Sequence, residues 1–453
     1  MFDMTISGAA AACGGSLNDS CFASGELTGI VIDSRKAAPG MLFVAYRGEN
    51  TDGHKYIASA FANGAACALA EYIPEGVEGP VILCEDVQLA LEKIAAAFRD
   101  RVKAPVIGVT GSVGKTTAKE FVSAVLSRHM PVHKTAGNLN NTIGVPLTLS
   151  GIGREHQAAV IEMGINHFGE MDHLGAMVKP DIMLYTRIGH AHLEFLGDLE
   201  GVFRAKTEVL KYMAEDALII FNGDDPYQQP FRSRKRSLSY GTGENCDVRA
   251  TDVVMEETGF LRCEIHYGSR TVHAVLNAFG EHMVYAALEG AAAGFALGLS
   301  DEEIEAGIAS YAPVGRRFAV TDTGFVKLID DCYNANPDSV KSSVKSLCDI
   351  SGRHVCILGD MLELGADSPA MHEAVGSFVK EEGVDLLITC GALSNMHTAA
   401  GYGIGAVTYA DKAEMISALP ELLHPGDVIL VKASLRSNFA EVSEAVRSLQ
   451  LIS

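Results

Sequence analysis

Short apolar runs alternate with amphipathic stretches along most of the chain, the pattern of strands covered on both faces by helices. Residues 105–109 form one such run, and Phe121, Val122, Val125 and Leu126 behind it share one face of a predicted helix. Buried strands are also predicted at 158–163, 181–187 and 217–221, followed by short extended runs and a helix over 281–297. Ser300 and Glu303 read as a capping box that opens another helix. Past residue 313 the alternation resumes, with strands predicted at 326–330, 354–358, 385–389 and 428–431. Helices at about 337–349, 370–382, 411–423 and 438–450 separate or follow them. Ahead of residue 104 the pattern is fainter. It gives a strand at 43–46, a helix whose apolar face carries Tyr56, Ile57, Ala60 and Phe61, and a helix at 87–102. The expectation is an α/β protein of three domains, 1–103, 104–312 and 313–453, the last a small doubly wound unit.

Composition narrows the function classes. With 48% hydrophobic and 21% charged residues the chain reads as an ordinary globular protein. Its net charge of −21 argues against nucleic acid or an anionic membrane as partner. No apolar run is long enough to span a bilayer, and the N-terminus has no basic segment followed by an apolar core. Ten cysteines without a CxxC pair fit reduced thiols, so a cytoplasmic location is expected.

The chemistry concentrates after the 105–109 run, in TGSVGKTT at 110–117. A strand, a glycine-rich turn and a helix N-terminus form a cradle for phosphate oxygens. Gly111 and Gly114 let the backbone approach an anion, Lys115 would reach the terminal phosphates, and the Thr116 hydroxyl would meet Mg²⁺. The common form of this loop has glycine where Val109 stands. Glu162 and His192 fall just past predicted strand ends, on the rim where parallel sheets bind ligands. Singly, each of them, like His190, reads as a structural side chain; together with the loop they read as a nucleotide–Mg²⁺ rim. Ser34, Arg35, Lys36, Arg47 and Lys55 are either a solvated face or a pocket for an anionic substrate.

Several separate stretches resemble the Mur ligases, the ATP-dependent enzymes that extend the peptidoglycan precursor peptide. They are TGSVGKTT, AGNLNNTIGVPLTL at 136–149, IEMGINHFGEM at 161–171, AHLEFLGDLEGVFRAKTEVL at 191–210, DDCYNANPDS at 330–339 and LGDMLELG at 358–365. The resemblance runs nearly end to end and implies a central P-loop ATPase domain with a parallel sheet. An N-terminal UDP-substrate domain and a C-terminal Rossmann-like domain would flank it. It further implies that D-alanyl-D-alanine is joined to UDP-N-acetylmuramoyl-tripeptide by a monomer using ATP and Mg²⁺.

The same resemblance assigns residues. Thr110, Gly111, Ser112, Val113, Gly114, Lys115, Thr116 and Thr117 would hold the ATP phosphates, with Asp331, Tyr333, Asn334 and Asn336 closing on the nucleotide. Thr116, Glu162, His192 and Lys206, the last as a carbamate, match metal positions. Lys115, Lys206, His192 and Arg316 would carry the catalysis. Ser34 and Arg35 match the uridine side, Asn140 and Asn141 the muramoyl side, and Lys432 and Ser434 the dipeptide side. Two departures stand out: Ala286 where relatives carry an asparagine that meets adenine, and VKASLRS in place of VKxSR.

The implied chemistry is transfer of the ATP γ-phosphoryl group to a carboxylate, giving an acyl phosphate that the dipeptide amine attacks. Two negative charges about 4 Å apart cost roughly 4 kcal/mol at an effective dielectric of 20, about a thousandfold in rate. Lys115, Mg²⁺ and Arg316 would offset that cost. The alternatives are another amino-acid ligase of the same fold, including the folylpolyglutamate type, a P-loop ATPase without ligation, and a binding protein.

Overall fold

Among the described residues of this computed structural model, 4–48, 51–256 and 260–449, every residue of the strands Val106–Thr110, Ala158–Glu162 and Ile182–Tyr185 is buried. Strands sandwiched between helices are apolar along their length, and in these the polar residues Thr110 and Glu162 stand only at the C-terminal ends. They belong to a nine-stranded sheet in the order Arg270–Leu276, Leu261–Tyr267, Val248–Met255, Ser237–Gly241, Leu218–Asn222, Ile182–Tyr185, Val106–Thr110, Ala158–Glu162, Val132–Lys134. Neighbours run parallel from Val132–Lys134 to Val248–Met255, and the last two strands are antiparallel. After Val106–Thr110 the chain builds first to one side of that strand and then to the other, so the loop leaving it sits at a topological switch point.

The phosphate-loop helix Lys115–Leu126 packs against the long apolar helix Met283–Ala296, and the two share a core with Ile107, Val109, Ile220 and Leu238. The predicted capping box is present: Ser300 Oγ accepts from Glu303 N at 3.2 Å, and Glu303 Oε2 accepts from Ser300 N at 2.9 Å.

N-terminal to this lies a five-stranded sheet, ordered Ser16–Leu17, Val81–Leu83, Cys67–Ala70, Met41–Val44, Gly29–Val31, with a separate pair Met4–Thr5 and Glu26–Leu27. The helix Val87–Arg99 buries Leu91, Ile94 and Phe98 in a core continuous with Leu149, Leu174 and Met177 of the central sheet's helices. Arg99 tightens that junction, donating to the Val178 carbonyl at 2.7 Å and to Asp181 at 2.8 Å. Tyr56, expected on an apolar helix face, is exposed. It ends a 3₁₀ turn, Gly53–Tyr56, whose tighter winding turns it off the face of the following helix Ile57–Ala62.

The C-terminal sheet has six strands in the order Ala319–Asp322, Lys327–Asp330, Val428–Lys432, His354–Gly359, Leu386–Cys390, Val407–Tyr409, all parallel but the first. Its last helix spans Ala440–Arg447, and residue 450 of the predicted helix lies outside the described residues. All ten cysteines are free thiols. No helix among the described residues is long and apolar enough to cross a membrane.

Candidate active site

The loop after Val106–Thr110 is fixed by the next strand's exit. Ser112 N donates to the Arg187 carbonyl at 2.8 Å, and Thr186 Oγ1 donates to the Val113 carbonyl at 2.6 Å. This pairing also ends the strand Ile182–Tyr185 earlier than the apolar run suggests. A Cβ on residue 111 would stand 1.8 Å from Thr186 Oγ1, so only glycine fits there. Gly114 takes a left-handed φ of 87° at the helix N-cap and aims the first N–H groups of Lys115–Leu126 into an open cleft.

That cleft, of about 540 Å³, lies between the central and C-terminal sheets. Lys115 and Thr116 line one wall, with Glu162 beside them. Thr116 Oγ1 donates to Glu162 Oε2 at 2.9 Å, and Asn140 Nδ2 donates to Glu162 Oε1 at 2.8 Å. Glu162 N in turn donates to Thr135 Oγ1 at 2.9 Å, so both ends of this buried residue are fixed. Lys119, buried behind it, donates to the Thr135 carbonyl at 2.8 Å and stands 3.9 Å from Glu162 Oε2. Lys115 Nζ rests on the Gly111 carbonyl at 2.8 Å. Burial lowers its pKa, with Glu162 opposing and Arg317 adding to the effect.

Lys206 lies on the helix Leu199–Thr207 and is fully buried. Its Nζ has no hydrogen-bond partner. Burial, reinforced by Lys115 and opposed by Glu170, drives its pKa well below the ordinary lysine value. His192 lines the cleft and presents Nδ1 to Glu363 Oε2 at 2.6 Å. Burial and the nearby Lys206 and Lys115 push its pKa down to about 4, against Glu363, which leaves the imidazole neutral at pH 7. His190 meets Asp338 instead, at 2.9 Å.

The C-terminal wall corrects one expectation. Arg316 turns away from the cleft, donating to Asp330 Oδ2 at 3.0 Å and to Glu444 Oε1 at 2.7 Å, because buried Asp330 needs a cation. Arg317 takes the cleft-facing place, its guanidinium carbon 3.6 Å from the centroid of the Tyr333 ring. Asn334 and Asn336 both line the cleft, and Asn336 also caps the helix Pro337–Cys348 through Oδ1, which accepts from Ser339 N at 2.8 Å. Lys432 is buried and clamps the same loop, 2.5 Å from Asp331 Oδ2 and 3.1 Å from the Asn334 carbonyl. Ser434 Oγ accepts from Leu362 N at 2.9 Å.

Of the remaining expected residues, Ser112, Val113, Thr117 and Asn141 line the cleft, while Thr110 and Gly111 are buried behind the loop and do not line it. Asn141 Oδ1 accepts from Gly144 N at 2.8 Å and so starts the helix Gly144–Ser150. Ser34 and Arg35 lie outside the cleft; Arg35 grips Asp33 at 2.8 Å and, being the larger influence on it, holds that carboxyl at about 2. Ala286 is buried in the apolar core, and the cleft-lining residues of its segment are His282 and Met283. Arg317, Glu363 and Lys119 carry no role in the sequence reading. Arg317 stands next to Arg316 and Glu363 inside the 358–365 stretch, the only signal the sequence offered, while Lys119 lies two residues past the phosphate loop with no signal of its own.

Among the described residues no three His, Cys, Asp or Glu side chains converge as a metal cluster. The donors present are of another kind. A hydroxyl and a carboxylate oxygen beside a phosphate cradle suit Mg²⁺, which takes few protein ligands and completes its shell with water and phosphate.

The chain is similar to known proteins over nearly its whole length. Residues 26–139 match the model for the Mur ligase family catalytic domain, residues 109–294 the Mur ligase middle domain, and residues 316–435 the Mur ligase glutamate ligase domain. The chain is 37% identical to the UDP-N-acetylmuramoyl-tripeptide–D-alanyl-D-alanine ligase of Escherichia coli strain K12, covering 94% of this chain and 96% of that one. It superposes on the crystal structure of MurF from Acinetobacter baumannii with a TM-score of 0.90 at 30% identity, over 98% of this chain and 99% of the other. The MurF ligase of Thermotoga maritima, solved in complex with ADP, matches with a TM-score of 0.82 at 27% identity, over 92% and 97%.

Proposed function

The chain belongs to the Mur ligase family, and on that premise we propose that it adds D-alanyl-D-alanine to UDP-N-acetylmuramoyl-tripeptide at the expense of ATP. The product is a peptidoglycan precursor, and the place of work is the cytoplasm. The observation that carries the reading is the cleft itself. A phosphate loop with Lys115 and Thr116 forms one wall with Glu162 beside it, and a basic and aromatic face with Arg317 and Tyr333 forms the other. Residues 1–103 take the UDP end, 104–312 the ATP, and 313–453 the dipeptide.

Each wall has a distinct task. The loop N–H groups and Lys115 hold the terminal phosphates and draw negative charge from the γ-phosphorus. The substrate carboxylate attacks that phosphorus, ADP leaves, and the acyl phosphate forms. The dipeptide amine then attacks the acyl carbon, losing a proton as phosphate departs. Arg317 supplies from the C-terminal wall the cationic charge first expected of Arg316. The roughly 4 kcal/mol of repulsion between carboxylate and phosphate is the cost these cations offset.

Mg²⁺ fits the donors at hand. Thr116 and Glu162 would hold one ion, and His192 with Lys206 as a carbamate would hold a second, supplying positive charge beside the phosphates. The fit of Lys206 rests on its buried, unpartnered Nζ and depressed pKa. A neutral amine can add to CO₂, forming the N–C bond and releasing a proton, and the resulting oxygens are donors that Mg²⁺ prefers. The test is phosphate release from ATP with the UDP-muramoyl tripeptide, with and without D-alanyl-D-alanine. Release that requires the dipeptide and matches new amide supports the ligase. Equal release without the dipeptide makes the protein a free-running ATPase.

A further inference from the structure

The histidines of the stretch 190–192 each meet a carboxylate from the C-terminal unit: Asp338 for His190 and Glu363 for His192. The second contact is the more specific. Its Nδ1–Oε2 distance is 2.6 Å, and Glu363 Oε2 lies within the same cleft wall as Leu362. Both partners hold the left-handed backbone conformation, His192 at φ 57° and Glu363 at φ 63°, which non-glycine residues rarely adopt. The backbones also touch, Glu194 N donating to the Glu363 carbonyl at 3.3 Å. From behind, the Glu363 loop is held by His372 Nε2, which accepts from Met361 N at 3.0 Å, and by Ser434 Oγ, which accepts from Leu362 N at 2.9 Å. Ser434 N completes the tie by donating to the Asp360 carbonyl at 3.1 Å. The segment proposed to receive the dipeptide is therefore joined through one short loop to the ring of His192.

We infer that Glu363 is a positioning residue for phosphoryl transfer: it accepts the Nδ1–H of His192 and so leaves Nε2 as the unprotonated nitrogen on the cleft side. This deepens the reading of His192 as a magnesium-side residue and rests on it. A carboxylate behind a histidine fixes its tautomer and ring orientation and raises its basicity. Here the carboxylate comes from a different unit, so His192 is correctly set only while the C-terminal unit is seated against the central one. Seating of the dipeptide-binding unit and preparation of the metal side become one event.

The test uses the full chain with ADP, Mn²⁺ as a paramagnetic stand-in for Mg²⁺, and the variants Glu363→Ala, Glu363→Gln and His192→Ala. Mn²⁺ affinity is read from the free-ion resonance signal, and the His192 tautomer from ¹⁵N-resolved NMR. Glu363→Ala is expected to weaken Mn²⁺ binding about 10- to 100-fold, toward His192→Ala, and to turn His192 from the Nδ1–H form into a mixture. Glu363→Gln keeps an oxygen acceptor, so it should preserve the tautomer and recover part of the affinity. It also serves if the alanine variant does not fold. Wild-type tautomer and affinity in Glu363→Ala, with affinity lost in His192→Ala, reduce Glu363 to a latch between units and overturn the inference alone. Unchanged Mn²⁺ affinity in His192→Ala overturns the metal reading beneath it.

Discussion

Arg317 lies over the ring of Tyr333, guanidinium carbon to ring centroid 3.6 Å, while its neighbour Arg316 points away to Asp330. The two arginines therefore divide between chemistry and structure. Arg317→Ala should lower kcat/KM for ATP about 100-fold, the usual effect of removing one preorganised charge from a transition state. Arg316→Ala should leave catalysis largely intact and cost about 1–3 kcal/mol of stability, since buried Asp330 then keeps the Cys332 thiol at 3.0 Å and, as its cation, Arg447, 3.4 Å away. Steady-state kinetics with denaturant melts separate the pair. The reverse assignment would return Arg316 to the site.

Lys115→Ala should reduce ligation at least about 1,000-fold while costing no more than about 1.5 kcal/mol of stability. The fold would lose its hydrogen bond to the Gly111 carbonyl and its attraction to Glu162. An active, folded Lys115→Ala enzyme would remove the loop from the mechanism.

Lys206 offers a sharper contrast. As a carbamate it is an anion with oxygen donors, and unmodified it offers only a buried amine, so Lys206→Ala should lose most activity and Lys206→Arg should not restore it. Acetate or formate should partly rescue the alanine variant by filling the space with oxygen donors. Bicarbonate should raise the activity of CO₂-depleted wild-type enzyme. Full activity in Lys206→Arg would sink the carbamate.

How much of this was legible varies by residue. The phosphate loop was plain, because a buried strand, two glycines at the turn and an amphipathic helix all agree. So was the Ser300–Glu303 capping box, a purely local motif. The burial of Lys206 was not: an isolated lysine on a helix looks solvated until the rest of the fold closes over it. Arg316 and Arg317 could not be told apart, since which side chain faces the cleft depends on where Asp330 lies. Glu363 sat inside a quoted motif, but its partner is 171 residues away. The edge strands of the N-terminal sheet are two or three residues long, too short for a period to show.

Glu289 gives a pH dependence unrelated to catalysis. It is buried on the helix Met283–Ala296 and pairs with the Tyr240 hydroxyl at 2.7 Å. Burial, opposed by that hydroxyl, raises its carboxyl from 4.5 to about 8. The folded protein thus holds a proton that the unfolded chain releases above 4.5. Its stabilising effect is complete below pH 4.5 and is lost as pH rises through about 8, on the order of a few kcal/mol. Glu289→Gln should flatten thermal stability across that window and exceed wild type at pH 8. Parallel profiles would mean the carboxyl is not held neutral.

The central claim is that the substrate carboxylate takes the γ-phosphoryl group and then loses it to an amine. Ligation with a tripeptide whose terminal carboxylate carries ¹⁸O at both oxygens tests it most directly, by mass analysis of the released phosphate. The account predicts one labelled oxygen in each phosphate, with ADP and amide formed in equal amounts. Unlabelled phosphate, or label found in AMP, would contradict it.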